Sequence, residues 1–389
     1  MKINRRDPRQ LSTLALSVIT SGFAVVVHWL MRPNQNKKTI IFYGHTLNGN
    51  LKAFFDFLER EKEYRVFFLV LDDKYRSKLI GSGFPVGKLL YALSIKDMYR
   101  VGRANAFITS HGLHFFSIIR RFSNIKFFDV WHGIPYKGFD VDDLRHLHRH
   151  TQTWVSSPFM KTMYIEKFGF SPSRIRVTGY GRVDQLIDGT LNKDHIRTKY
   201  KIKKAKQYIL VAPTWAQDDS GRSILPFGTE ERRFFGELDK VAKKHGALII
   251  FRTHLNSNES IDVGNLDNTV FMPYAEYENA EEFLYISDIL VTDWSSIAFD
   301  FLPLDKPTIF MDVKAPFKKG FSLGPEYRFG DIAPNLEKLI WFIDQNLANP
   351  GSYNDRHKES IAKAKLAAYG STLDGGSCRR YEKEMNEVL

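Results

Sequence analysis

The chain holds a single cysteine, Cys378. That excludes an internal disulfide and any zinc site built on cysteines, and it fits a reducing, cytoplasmic setting. Acidic residues are the minority among the charges: 44 Asp and Glu stand against 56 Lys and Arg, giving a formal charge of +12 and a pI near 9.4. An acidic partner is implied, whether nucleic acid, anionic lipid or a phosphorylated substrate. The basic residues are spread along the sequence, not gathered in one arm. No helix-turn-helix, finger or RNA-binding signature occurs either, so nucleic acid is set aside. What is present is apolar material, 43% of 389 residues, enough for two domains with full cores.

Residues 11–31 carry no charged side chain, with Lys2, Arg5, Arg6 and Arg9 before them and Arg32, Lys37 and Lys38 after. The run is long enough to span a bilayer. Thr13, Ser17, Thr20 or Ser21, and His28 fall near one helical face, as in a helix lying in the membrane surface. A cleaved signal peptide is the third reading, but no clear small-x-small cleavage site follows. Basic residues on both sides leave orientation open. Membrane attachment through residues 1–36 is expected, an interfacial helix ahead of a span.

The body then reads as strand alternating with helix. Residues 39–43 (TIIFY) end at Gly44, 66–71 (VFFLVL) at Asp72-Asp73, 106–109 (AFIT) at Ser110-His111-Gly112, and 125–131 (IKFFDVW) at His132-Gly133. This alternation predicts a parallel sheet with ligands at the carboxyl ends of its strands. His132 stands at such an end in WHGIPYKGFD, where Gly133 frees the backbone, Pro135 stiffens it and Lys137 adds positive charge. A histidine so placed can take a proton from a hydroxyl near neutral pH. Asp142, His146 and His150 would share a helical face like a metal triplet. Arg145 and Arg149 beside them oppose a cation and favour a basic surface facing acceptor or lipid. A short strand at 153–157 and a glycine-rich turn, VTGYGRVD at 177–184, close this half.

Polar residues 193–206 make a plausible linker between domains at 37–192 and 207–389. A second α/β pattern follows. Residues 208–211 (YILV) end in Ala212-Pro213-Thr214-Trp215, 247–251 (ALIIF) in Arg252-Thr253-His254, and 308–311 (TIFM) supply another strand. Arg252 and His254 could lean toward one cleft and steady a phosphate oxygen that gains charge as a bond breaks. The stretch around which the rest is organised is 289–301, ILVTDWSSIAFDF. A buried strand ends at Thr292-Asp293 and turns at once into a helix, with Ser295 and Ser296 in its first turn, where free N–H groups and the helix dipole favour phosphate.

In this order the motifs resemble the CDP-glycerol glycerophosphotransferase family, which builds teichoic acids and related capsule polymers. The resemblance spans roughly residues 44–310. It rests on His132-Gly133 with Lys137, Ser156-Ser157-Pro158, Gly179 to Asp184, Ala212-Pro213-Thr214-Trp215, Arg252 with His254, and Asp293 to Asp300. It implies a GT-B architecture of two facing doubly wound domains with an N-terminal membrane-associated helix. It also implies a CDP-glycerol or CDP-ribitol donor held mainly by the C-terminal domain, and a hydroxyl acceptor on a polyprenyl-linked glycan or polymer entering from the N-terminal one. The site is expected at an anionic membrane surface on the cytoplasmic face. His132 would be the general base, Arg252 and His254 would steady the departing phosphate, and Ser295 with Ser296 would hold the diphosphate. Gly133, Lys137, Pro213 and Thr214 line the substrate site, and Asp293 and Asp300 orient the alditol or fix the turn. Neither a cofactor nor an obligatory metal is expected.

The sequence departs from the family pattern at Leu255, where proline commonly follows the second histidine, and at Trp294, where tyrosine is usual. It lacks a large N-terminal extension, as do shorter members, which include primer-adding enzymes as well as polymerases. Two rival readings share the architecture. One is a glycosyltransferase that uses a nucleotide sugar. The other is a membrane-bound polyanion-binding protein without chemistry.

Overall fold

The computed structural model describes residues 8–31, 37–113, 116–214, 226–253 and 266–389. The first sheet contains β1 Lys38–Tyr43, β2 Tyr64–Val70, β3 Leu89–Tyr91, β4 Ala106–Thr109, β5 Lys126–Asp129, β6 Gln152–Val155 and β7 Ile175–Val177. They are all parallel, in the order β3-β2-β1-β4-β5-β6-β7. The second contains β8 Tyr208–Ala212, β9 Leu248–Phe251, β10 Thr269–Phe271, β11 Ile289–Thr292, β12 Thr308–Met311 and β13 Asp331–Ala333. These too are parallel, in the order β10-β9-β8-β11-β12-β13. Helices cover both faces of each sheet, which is why the central strands are near-continuous apolar runs. The order reverses between β1 and β4 in one sheet and between β8 and β11 in the other. Ligands of such sheets bind outside the carboxyl ends of strands at that reversal.

The two facing α/β domains expected from sequence are present, with more strands than the periodicity showed. Strands β3, β10 and β13 are three residues each at or near sheet edges, too short to generate a readable pattern.

The chain does not divide at 207 as cleanly as the sequence suggests. Lys193–Tyr200 is a helix, not an open linker. It buries Ile196, stacks Tyr200 on Phe283 at 4.8 Å and pairs Lys199 with Glu282 at 2.8 Å, fastening itself to the second domain. The last helix, Ser377–Asn386, returns to the first domain. Its Tyr381 is fully buried, stacked on Trp154 at 4.9 Å and edge-on to Phe54 at 5.3 Å, while its hydroxyl donates to the Gly179 carbonyl at 3.0 Å. Asp184 caps this helix, accepting from the Ser377 N–H and hydroxyl at 2.7 and 2.8 Å.

The helix Pro8–Leu30 lies along the first domain against the helices Ile95–Gly102 and Ser117–Phe122. Its polar stripe faces inward, the reverse of a helix floating with polar side chains in water. Ser17, Thr20, Ser21 and Ala24 are buried. Thr20 donates to the Ala92 carbonyl at 2.8 Å, and His28 Nδ1 lies 3.1 Å from the Gly102 carbonyl. Small side chains permit the approach: a Cβ on Gly102 would stand 2.5 Å from the Ala24 carbonyl oxygen. Leu16, Ile19, Val26, Trp29 and Leu30 are left exposed on the outer face.

Candidate active site

The first domain's contribution begins where β5 ends. Asp129 is fully buried; its carboxylate accepts from the Trp131 N–H at 2.9 Å and the Thr109 hydroxyl at 2.7 Å. Those bonds help hold Trp131 in a left-handed conformation (φ 50°), which for a bulky residue costs about 1–3 kcal/mol. The turn sends the His132 side chain out of the domain, where it is exposed. Its Nδ1 sits 3.0 Å from the Ser110 carbonyl. A carbonyl only accepts, so this contact assigns the proton to Nδ1 and the lone pair to Nε2, the form a general base needs.

His132 does not stand alone. Its ring stacks on His111 at 4.2 Å, and His111 lies 5.1 Å from His45. These three histidines stand beyond the ends of β5, β4 and β1, with His45 and His111 flanking the strand reversal. The sequence reading stopped at His132. The missed signal was a histidine following three separate strands. Among the described residues, no group of three His, Cys, Asp or Glu side chains is placed to hold a metal ion. His146 and His150 are separated from metal chemistry by Arg120, whose Nη1 donates to the His146 carbonyl at 2.7 Å and lies 3.3 Å from His150 Nδ1. Burial, then the Arg120 charge, pushes the His150 imidazole down to about 3, so it stays neutral.

The second domain's contribution sits at the reversal between β8 and β11. Asp293 is buried, and its Oδ1 accepts from the Thr214 N–H and the Trp294 N–H, both at 2.7 Å, and from the Thr214 hydroxyl. Asp293 and Thr214 therefore join the two strand ends, with buried Pro213 just before them. The helix starts at Ile297, two residues later than a helix holding Ser295 in its first turn. Ser296 is its N-cap residue, and Ser295 Oγ accepts from the Ile297 N–H at 3.4 Å. Both serines are part-exposed. Among the described residues, their backbone N–H groups find no acceptor.

Gly133 brings the halves together. Its φ of 146° suits glycine alone, and a Cβ there would stand 3.1 Å from Ser296 Oγ. The residue after His132 thus faces the serine-bearing turn directly. The following segment threads into the second domain. Tyr136 packs on Phe299 at 4.7 Å and Trp294 at 5.8 Å, Lys137 pairs by its backbone with Phe321, and the Gly138 N–H donates to the Gly320 carbonyl at 2.8 Å. Lys137 thus acts first through its backbone; its ammonium lies 5.3 Å from the Phe139 ring centre. At Trp294 the indole N–H donates to the Val313 carbonyl at 2.7 Å, so the family departure there serves packing.

Asp300 is engaged by protein. It is buried and bonded by both oxygens to Arg182, with Nε to Oδ1 at 3.0 Å, while Arg182 Nη1 donates to the His132 carbonyl at 3.1 Å. Burial pushes the Asp300 carboxyl up to about 6 even with that guanidinium beside it. For Arg182, burial alone would depress the pKa; Asp300 and Glu281 outweigh it and raise it. Asp300 therefore ties its turn to Arg182 of the first domain, which fits the second half of the expectation, that it fixes the turn. Arg182 is the principal residue the sequence reading passed over, although GYGRVD contains it.

Arg252 is buried at 4% exposure, its guanidinium 5.4 Å from the Tyr274 ring centre and 5.1 Å from that of Phe283. Its only polar partners among the described residues are distant carbonyls, Met272 at 3.4 Å and Glu278 at 3.3 Å. Burial pushes its pKa down to about 10, against the opposing pull of the nearby Glu281 and Glu278 carboxylates, so it remains a cation. Tyr274, above it, crosses between domains: Asn48 donates to its hydroxyl at 2.6 Å, and Thr46 lies 3.1 Å away. His254 lies outside the described residues.

This arrangement is two reversal points facing each other, one bearing histidines, the other open N–H groups and a buried arginine. A family model for CDP-Glycerol:Poly(glycerophosphate) glycerophosphotransferase matches residues 24–380. The chain belongs to this family. Relatives of this glycerophosphotransferase-family chain include the teichoic acid ribitol-phosphate polymerase TarK of Staphylococcus aureus, 25% identical over 294 residues, which are 71% of this chain and 55% of the relative. Two teichoic acid poly(glycerol phosphate) polymerases also match. That of Bacillus subtilis is 24% identical, covering 78% of this chain and 42% of the relative. That of Bacillus spizizenii is 26% identical, covering 83% and 87%. The chain thus spans about half the length of the first two. The wall teichoic acid polymerase TagF superposes over 100% of both chains with a TM-score of 0.74 at 19% identity. A UDP-GlcNAc 2-epimerase from Neisseria meningitidis superposes with a TM-score of 0.55 at 13% identity, over 90% of this chain and 100% of that one. Both likenesses concern the GT-B-like fold.

Proposed function

We propose that the protein transfers an alditol phosphate, glycerol phosphate first, from a CDP-alditol to a hydroxyl on a membrane-linked glycan or polymer and releases CMP. The observation that carries this reading is the approach of Gly133 to Ser296, which puts the residue after His132 against the serine-bearing turn of the other domain. The acceptor oxygen attacks the phosphorus on the alditol side while its proton passes to His132 Nε2. The new P–O bond forms as the bond to CMP breaks, and the electron pair leaves on the CMP phosphate. Such transfers are accelerated chiefly by positioning and charge stabilisation. The N–H groups at Ser295 and Ser296 hold the diphosphate, and the buried Arg252 supplies positive charge behind it. Ribitol phosphate is the second reading, favoured by the ribitol-phosphate polymerase among the relatives.

In this proposal the protein works at the cytoplasmic face of the membrane. Support comes from the helix Pro8–Leu30, long and apolar enough over Ser12–Leu30 to cross a bilayer, yet packed lengthwise on the first domain. With its polar stripe already bonded to protein, the exposed apolar face is the one left for lipid, which favours an in-plane helix.

The deciding experiment offers CDP-glycerol, CDP-ribitol and UDP-sugars with a polyprenyl-linked acceptor and follows CMP and UDP. CMP release from a CDP-alditol is expected; UDP release alone would move the protein to the nucleotide-sugar transferases. His132→Ala should bind the CDP-alditol normally and lose transfer, a general base being worth about 10²–10⁴-fold. Wild-type turnover in that variant would remove the histidine from the mechanism.

A further inference from the structure

Outside the donor cleft, the first domain carries a second concave region, made of two adjoining cavities. One, about 350 Å³, is lined by Ser117, Ile118, Arg120, Arg121, Phe122 and Arg149. The other, about 310 Å³, is lined by His111, Leu113, Ser117, Arg120 and His146. They share Ser117 and Arg120 and so form two lobes of one groove. Its inner end is His111, whose ring lies on His132 at 4.2 Å. Its outer end is Phe122, 52% exposed, whose carbonyl accepts from Trp29 Nε1 at 2.8 Å. Trp29 and Leu30, 63% and 77% exposed, belong to the apolar outer face of the N-terminal helix.

Three arginines, Arg120, Arg121 and Arg149, line this groove. Among the described residues, no carboxylate lies within ion-pair distance of Arg120, Arg121 or Arg149. Arg120 is half-buried and fixed by its bond to the His146 carbonyl, and burial together with the Arg149 charge lowers its pKa. Like charges gathered without a carboxylate partner in a concavity suit an anion with several acceptor oxygens, and forked guanidinium donors match phosphate. The groove therefore offers in sequence a base, an anion subsite and an apolar exit.

We propose that this groove binds the phosphate or diphosphate of a lipid-linked acceptor. The hydroxyl-bearing end points toward His132, and the hydrocarbon chain leaves over Phe122 and Trp29 into the bilayer. The acceptor's role rests on the transferase reading above, but the binding can be measured without it.

The test uses the full chain in detergent, with farnesyl diphosphate as probe and farnesol and inorganic pyrophosphate as controls, by calorimetry. Farnesyl diphosphate should bind more tightly than either control. Arg121→Gln with Arg149→Gln, both exposed and without carboxylate partners, should weaken it about ten-fold or more, each lost charge-assisted bond being worth roughly that factor. Arg120→Gln should do the same, and the Arg121/Arg149 variant guards against misfolding of that one. CDP-glycerol affinity should not move. Equal farnesyl diphosphate affinity in wild type and the double variant would overturn the proposal. So would a parallel loss of CDP-glycerol binding, or a loss confined to adsorption on phosphatidylglycerol vesicles, which would mark a general lipid contact. Absence of CMP release in the donor screen counts against the transferase reading and leaves this binding result intact.

Discussion

Arg182 of the first domain holds Asp300 of the second by both carboxylate oxygens, and the same guanidinium donates to the His132 carbonyl. The two side chains are only 12% and 4% exposed. One ion pair thus ties together the two domains and the backbone at His132. Removing one partner of a buried pair leaves an uncompensated charge, at a cost of about 3–5 kcal/mol. Arg182→Met and Asp300→Leu should each lower unfolding stability by that order in denaturant titrations. The double variant should be more stable than either single one, yet still fail in transfer. Additive losses would show that the pair is not coupled.

Two glycines of the same segment should separate stability from activity. A Cβ on Gly138 would stand 2.3 Å from the Lys319 carbonyl oxygen, so Gly138→Ala must shift backbone and should cost about 1–3 kcal/mol in thermal or chemical unfolding. At Gly133 the Cβ would meet the tip of Ser296 while φ stays at 146°. Gly133→Ala should reduce kcat at least ten-fold, a barrier increase of about 1.4 kcal/mol. The measurement is CMP release beside an unfolding curve for each variant.

Stability should depend on pH through Asp129. Burial pushes its carboxyl up to about 7, only partly offset by the Thr109 and Trp131 bonds. The folded state then binds a proton that the unfolded chain releases near pH 4, and this contribution is complete below that value. It is lost as pH rises through about 7. Asp129→Asn removes the titration and keeps an acceptor for the Trp131 N–H. Its stability relative to wild type should therefore rise between pH 5 and pH 8, read as the difference in thermal midpoints at each pH. A constant difference would mean that Asp129 is ionised throughout.

Tyr274 offers a gentler probe of domain closure. Its hydroxyl meets Asn48 and Thr46 across the cleft, and its ring covers Arg252. Tyr274→Phe keeps the ring and should cost only about 0.5–1.5 kcal/mol in stability. The expected signature is a raised KM for the CDP donor from a looser cleft. An unchanged KM would confine Tyr274 to a packing role.

The sequence by itself determined the alternation of strand and helix, the two-domain architecture, and the placing of His132, Thr214 and Asp293 at carboxyl ends of strands. Those features follow from apolar runs and turn residues a few positions apart, where local pattern and fold agree. Tertiary structure alone decided the rest. That Asp300 pairs by both oxygens with Arg182, more than a hundred positions away, is written in no local pattern. His111 became a neighbour of His132, and His45 of His111, because β1, β4 and β5 lie side by side, and no spacing along the chain encodes strand order. The N-terminal helix could be read as amphipathic, but which stripe met protein depended on Gly102 and Ala24 letting two helices touch. Periodicity tells that a helix has two faces; only the partner surface selects the one that is buried.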